Sequence, residues 1–257
     1  MATSSRSEFG DFLRSRREKL SPDKLRLKSG RRRRTPGLRR EEVAELAGIS
    51  VDWYVRLEQG RTVSPSDATL DALAGALRLG KVEAAHLRAL ARNGDRRDFA
   101  PERLPPAIER LVTSLNLPAY VTGRRWDILA WNAAAADILG FDRLAASDRN
   151  ILAFMFMETD SRRLFGRTWA DEARRMVALF RATHDLHAGD PAFIELVERV
   201  CARSPEFVKW WNAHDIRAGT SGQKVLVHPE RGAQRYEYTT FQANDDPALK
   251  LSIYTPV

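Results

Sequence analysis

The chain has 257 residues, with 42 Lys+Arg against 34 Asp+Glu and a formal net charge of +8. That length accommodates two domains, and a lone cysteine, Cys201, excludes an intramolecular disulfide and a cysteine-based zinc site. No apolar run approaches the ~20 residues that span a bilayer, and the opening MATSSRSEFGDFL lacks the apolar stretch of a signal peptide, so the expected location is cytoplasmic, away from membranes.

The charge is unevenly placed. Residues 1–100 carry 22 basic and 14 acidic side chains, whereas residues 101–257 carry 20 of each. A basic segment beside a neutral one points to a polyanion as partner of the first and something else as partner of the second.

Ser7 is placed to cap a first helix ending near Leu20, with Phe9, Phe12, Leu13 and Leu20 along its apolar side. Residues 21–37 are rich in charge and turn formers and read as a loop. Arg31, Arg32, Arg33 and Arg34 in that loop have two readings: a solvated charge run, or an arm on the phosphates or in a narrow minor groove. Their position beside the next motif favours the arm.

That motif runs from Arg39 to Gln59, RREEVAELAGISVDWYVRLEQ. Val43 and Ala47 make a small apolar stripe, and Ala44 permits a second helix to cross closely. Gly48 can take the left-handed conformation that ends the first helix. Ile49 fills the corner, and Ser50 caps a second helix whose inner face is Tyr54 and Leu57. Such a unit lays its second helix in a DNA major groove. Gly60 closes it. A capped helix follows from Ser66 or Asp67 with Leu70, Leu73, Ala74 and Leu77, and a fifth spans roughly 81–92.

Five helices with the turn between the second and third resemble the XRE-type helix-turn-helix domain, on Val43, Ala44, Gly48, Ser50, Tyr54, Leu57, Glu58 and Gly60. The resemblance implies Val51, Asp52 and Arg56 as base-edge readers, with Arg56 suited to a bidentate contact to guanine. Asp52 either accepts from cytosine N4 or sits there to favour the helix dipole. Arg40, Ser50, Trp53 and Gln59, with the four arginines of the arm, are implied as phosphate contacts. The same resemblance implies a structural pair between Glu58 and Arg17.

Residues 93–106 hold two prolines after Leu104 and read as a linker between domains at 1–92 and 107–257. A short helix over 107–115 precedes a hairpin, in which Tyr120 and Val121 are followed by a turn at 122–125 and then by Trp126, Ile128, Leu129 and Trp131. A helix from Ala133 ends at Gly140. NILAFMFM at 150–157 is helix or strand. Helices are expected over 162–181, 191–203 and 205–214, then three strands in KVLVHP, QRYEYTTFQ and LKLSIYTP. The expected fold is therefore α+β: an all-α five-helix domain, then helices covering one face of an antiparallel sheet.

The second half has the element order of a PAS-like fold. It resembles the MmyB-like ligand-binding domain of actinobacterial transcription regulators in PAYVTGRRWDILAWNAAA, NILAFMFM, WWNAHDIRAGTSGQKVLVHPERG and LSIYTP. That resemblance implies a pocket for a small apolar molecule, fatty acids among them. Tyr120, Trp131, Phe154, Trp169 and Trp211 are candidates for its walls, and Asn132, Arg163, His214 and His228 for its polar contacts.

The expected function is thus a ligand-responsive transcription regulator that binds a double-stranded DNA operator as a homodimer. The alternative is an antitoxin-like or adaptor protein whose second half binds a polypeptide. His184, His187, His214 and His228 with Asp185 and Asp215 raise acid–base or metal chemistry, but His184 to His187 is only a three-residue step and Asp185 does not face both. No nucleophile elbow, His-Glu-x-x-His or phosphate-cradling glycine loop occurs. The expectation is no enzyme, no cofactor and no metal.

Overall fold

The computed structural model describes residues 5–25, 37–61, 64–92, 99–219 and 221–257. The expected arginine arm, Arg31–Arg34, and residues 93–98 of the expected linker lie outside the described residues. The chain divides into two compact units. The first comprises the described residues within 1–98 together with His184–Ile194 and Ala213–Arg217; the second comprises Phe99–Thr183, Glu195–Asn212 and Ala218–Val257.

The first unit contains α1 (Ser5–Lys19), α2 (Arg40–Ala47), α3 (Val51–Glu58), α4 (Asp67–Ala76) and α5 (Lys81–Arg92). Gly48 ends α2 at φ 64°, a left-handed conformation that a Cβ would strain. Ser50 caps α3 by accepting from the Trp53 N–H, and Ser66 caps α4 by accepting from the Thr69 N–H. Much of the expected inner faces is buried, with Phe12, Leu13, Val43, Ala44, Tyr54, Leu57, Leu70, Leu73 and Leu87 all at most 1% exposed, whereas Leu20 and Ala74 are half-buried and Val82 is exposed. Gly10 on α1 lies against the end of α3: a Cβ there would meet the Glu58 carbonyl oxygen at 2.4 Å.

The second unit is α+β. It runs α6 (Pro106–Ser114), β1 (Ala119–Thr122), β2 (Ile128–Trp131), α7 (Ala133–Leu139), α8 (Ile151–Met157), α9 (Thr159–Phe165), α10 (Trp169–Leu186), α11 (Pro191–Arg203), α12 (Pro205–Trp211), β3 (Gly222–His228), β4 (Gly232–Gln242) and β5 (Lys250–Pro256), the last turn of α10 and the first turn of α11 belonging to the first unit. The sheet is antiparallel, ordered β2–β1–β5–β4–β3, so the last strand pairs between the first and the fourth. Registers such as Tyr238 opposite Tyr254 and Tyr120 opposite Ser252 stack aromatic side chains over neighbouring strands.

Several elements resolve or differ from the sequence expectation, each for a local reason. The apolar run at 150–157 is a helix: Asn150 accepts from the Leu152 and Ala153 N–H groups, and residues 151–156 are all buried. A helix so uniformly apolar has no solvent face for periodicity to reveal. The single helix expected over 162–181 is two, broken at Gly166, whose φ of 49° with ψ of −129° no other residue adopts easily. Trp126 lies in the hairpin turn at φ 69° instead of opening β2. The helix expected to reach His214 stops at Trp211, and His214 itself has φ 50°.

Gly10→Ala gains helix propensity in α1 yet must displace the α3 backbone. The substitution is expected to lower stability by about 1–3 kcal/mol, the range for overpacking, read as a lower melting temperature by calorimetry. A melting temperature equal to or above wild type would show that the crossing is not tight.

Candidate functional site

The helix-turn-helix presents one face of α3 to solvent. Val51 is 40% exposed, and Asp52, Arg56 and Gln59 are exposed, while Tyr54, Leu57 and Glu58 are buried. Trp53 is half-buried beside its capping contact with Ser50. The three residues expected to read bases therefore lie together on the outward side of one helix. Asp52 and Arg56 are paired, with Arg56 Nε 2.9 Å from Asp52 Oδ2. An exposed i,i+4 pair of this kind adds only about 0.3–0.5 kcal/mol; its effect is to orient the guanidinium along the helix face.

What holds α3 in place is a buried carboxylate. Glu58, its side chain 1% exposed, receives a fork from Arg17 on α1, with Nε and Nη2 each 2.9 Å from a carboxylate oxygen. Arg40 at the start of α2 donates to the same group at 3.0 and 2.8 Å. Arg17 also donates from Nη1 to the Leu38 carbonyl at 2.9 Å. Burial alone would raise the Glu58 carboxyl, but the hydrogen bonds from Arg17 and Arg40 reverse that and hold it below the usual value of about 4.5. Burial likewise pushes the neighbouring Tyr54 hydroxyl up, reinforced by the Glu58 charge.

Around this knot lies a groove of about 330 Å³, lined by Arg14, Arg17, Glu18, Arg39, Arg40 and Glu41. Four guanidiniums face two carboxylates at the N-terminal end of α2, where the helix dipole adds positive potential. Arg39 was not singled out from the sequence, although its place beside Arg40, just ahead of the first helical turn, was visible there.

In the second unit, three of the expected wall residues meet around one ring. Tyr120, Trp131 and Phe154 each set an edge or face against Phe141, at centroid distances of 5.2, 6.2 and 5.4 Å. Trp169 packs on Phe156 at 6.0 Å and donates its indole N–H to the Met155 carbonyl. Trp211 stacks on Phe207 at 5.3 Å beneath the Arg181 guanidinium.

The four expected polar contacts do not converge. Asn132 caps α7: its amide donates to the Leu115 and Leu117 carbonyls, and its oxygen accepts from the Ala119 and Ala135 N–H groups. Arg163, its side chain 82% exposed, pairs with Asp160. His228 holds the β3–β4 turn, its Nδ1 accepting from the Glu230 and Arg231 N–H groups while Nε2 faces Asp137 at 3.4 Å. His214 belongs to the first unit, where its carbonyl accepts from Arg16.

A different polar cluster occupies the inner side of the sheet. The Lys224 side chain is 8% exposed, and its ammonium lies over Tyr238, Phe165 and Tyr254, at 4.5, 5.5 and 5.8 Å from the ring centroids. Its carboxylate partner Glu172, at 3.4 Å, also pairs with Arg175 at 3.2 Å, and Arg175 lies over Tyr238 as well. Two cations thus share one carboxylate inside an aromatic box. Burial pushes the nearby Tyr254 hydroxyl up to about 12 and the Tyr120 hydroxyl up too, so both stay neutral donors. The sequence carried a signal for Lys224: it precedes Leu226 and His228 at period 2, which places a lysine on the strand's inward face.

A family model described as the MmyB-like transcription regulator ligand binding domain matches residues 104–257, and one described as a helix-turn-helix domain matches residues 8–87. No curated protein matches the chain.

Glu58→Gln removes the charge that two guanidiniums share and leaves Arg17 buried with a neutral partner. The expected loss is about 3–5 kcal/mol, the cost of breaking a buried pair. Because the folded carboxyl is held low, its contribution is present above about pH 4.5 and disappears as pH falls through the folded value. Melts followed by circular dichroism between pH 7 and pH 3 should show a stability drop on acidification that Glu58→Gln flattens. Parallel curves for the two proteins would contradict this.

Proposed function

The chain belongs to the family of MmyB-like transcription regulators, and on that premise we propose that α3 reads a duplex operator while the second unit senses a small, largely apolar acid. The matched families make it a DNA-binding, ligand-sensing regulator. The observation that carries the DNA reading is the outward face of α3, where Val51, Asp52 and Arg56 are exposed together above a buried Glu58. In this reading Arg56 donates in bidentate fashion to guanine O6 and N7, released from Asp52 or shared with it. Ser50, Trp53, Gln59, Arg39 and Arg40 position the protein on phosphates, which adds affinity without sequence preference. Two copies acting as a two-fold pair set their α3 helices in groove segments about 34–36 Å apart.

The ligand reading rests on the composition of the second unit's interior. Phe165, Tyr120, Tyr238 and Tyr254 supply apolar surface and hydroxyl donors, and Lys224 with Arg175 exceeds Glu172 by one positive charge. A carboxylate with an alkyl chain complements both features, the head on Lys224 and the tail among the rings. Occupancy shifts the population between DNA-competent and incompetent states only in so far as the ligand prefers one of them.

Two measurements test these assignments. Arg39→Ala is expected to weaken binding to a selected operator evenly across sequences and to reduce the magnitude of the slope of log K against log salt by about 1; an unchanged slope would remove Arg39 from the interface. Calorimetry with dodecanoate and dodecanol should give binding of the acid only, weakened at least about tenfold by Lys224→Met, in line with loss of a charge-assisted hydrogen bond. Equal affinity for acid and alcohol would discard the charged head.

A further inference from the structure

Beside β2, the edge strand of the sheet, the second unit has a pocket of about 290 Å³. That is close to the lower end, ~300 Å³, of cavities that hold small molecules. Among the described residues its lining includes none of the aromatic box around Lys224.

Two charged side chains in this lining are left incomplete by the fold. Glu102, its side chain 7% exposed, accepts from the Arg124 N–H at 2.9 Å through Oε1, and Arg124 Nε lies 4.0 Å from the same oxygen. The other oxygen, Oε2, is buried and has no hydrogen-bond partner. A Cβ on Gly123 would come within 2.3 Å of Oε2, so the glycine makes room for the carboxylate in the hairpin turn. Arg149 lays its guanidinium over the Trp131 ring at 5.2 Å, and its Nε is likewise buried without a hydrogen-bond partner. Among the described residues, no hydrogen bond or ion pair joins Glu102 to Arg149. The remaining charged residues of the lining are satisfied: Arg125 and Asp127 pair at 2.9 and 3.0 Å, and Asp127 also accepts from the Asn150 amide.

A buried carboxylate oxygen and a buried guanidinium N–H each cost free energy until they are paired. Here both line one pocket and do not close on each other. Their complement is a molecule with a cationic N–H donor and an anionic acceptor; a ligand of one charge would complete only one of the two. Glu102 and Asp127 against Arg125 and Arg149 make two formal charges of each sign, so a molecule of zero net charge adds no imbalance. Ile128 and Leu129 of β2 supply apolar wall.

We infer that this pocket takes a free amino acid with an apolar side chain, its ammonium on Glu102 Oε2 and its carboxylate on Arg149 Nε. Both contacts are charge-assisted, the stronger kind of hydrogen bond. The site is separate from the Lys224 reading and does not rest on it. An occupant bridges the segment ahead of α6, which carries Glu102, to the segment ahead of α8, which carries Arg149.

The test is calorimetry and thermal melting of the full chain with L-valine, L-leucine and L-methionine. At least one is expected to bind once per chain with Kd below about 1 mM and to raise the melting temperature. The N-acetyl and amide derivatives of that amino acid, each lacking one charge, should bind at least about tenfold more weakly. Glu102→Gln and Arg149→Met should each weaken binding by a similar factor, and Arg163→Ala, an exposed position on α9 outside the lining, should not. Neither heat nor a melting shift from any of the three at about tenfold excess over that Kd would overturn the inference. Equal affinity for the derivatives would overturn it too, and this arm uses the wild-type protein, so it decides even where a variant folds poorly. Binding that survives both substitutions would put the amino acid elsewhere and overturn it equally.

Discussion

The carboxylate of Glu58 is the group on which the proposed DNA-reading surface depends. It sits at the C-terminal end of α3, nearly out of solvent, and binds guanidiniums from both α1 and α2. Hydrophobic packing of Tyr54 and Leu57 brings α3 against the core but does not fix its rotation about its own axis. The Arg17 fork does, because a planar bidentate contact tolerates little angular change. With the rotation set, Val51, Asp52 and Arg56 have to point outward, and Gly10 permits the close crossing at which the fork can form. A buried ion pair of this kind is weak evidence for stability as such; its value here is orientation.

The second unit uses a comparable device for another end. Lys224 and Arg175 share Glu172 among aromatic rings, leaving a buried region one positive charge in excess. In the first unit the excess lies on the surface, in the groove beside α2. Exposed guanidiniums suit phosphates that arrive with their own counterions, whereas a buried ammonium suits a single anionic group that enters with apolar surface. In the proposed reading the same residue chemistry is divided between two partners by burial.

Much of this was legible in the sequence, and where it was not the reason is physical. The helix-turn-helix announced itself because its signals are local: Gly48 for a left-handed end, Ser50 for a cap, and Tyr54 with Leu57 at helical spacing. The five strands were legible through period-2 alternation and the hairpin spacing. The run at 150–157 stayed ambiguous because a helix buried on all sides has no polar face, and Asn150, its cap, reads equally as a turn residue. Gly166 gave no warning of its break, since an isolated glycine within a helical pattern is ordinarily tolerated. The polar candidates in the second half were chosen by residue type, yet Asn132 and His228 direct their hydrogen bonds to backbone caps and turns. Lys224 faces inward against lysine's ordinary preference for the surface, so residue type alone does not reveal it. Long-range groupings such as Glu102 with Arg149 in one pocket are not encoded in any window of sequence.

The central claim is that the outward face of α3 meets base edges through Arg56. It is tested most directly by selecting fragments bound by the full chain and mapping guanine N7 methylation on one of them, with wild type and with Arg56→Ala at equal occupancy. The account predicts a guanine in each half-site that wild type protects and Arg56→Ala leaves open, with the phosphate footprint otherwise intact. Identical guanine protection by the two proteins, or a footprint without any protected guanine, would contradict it.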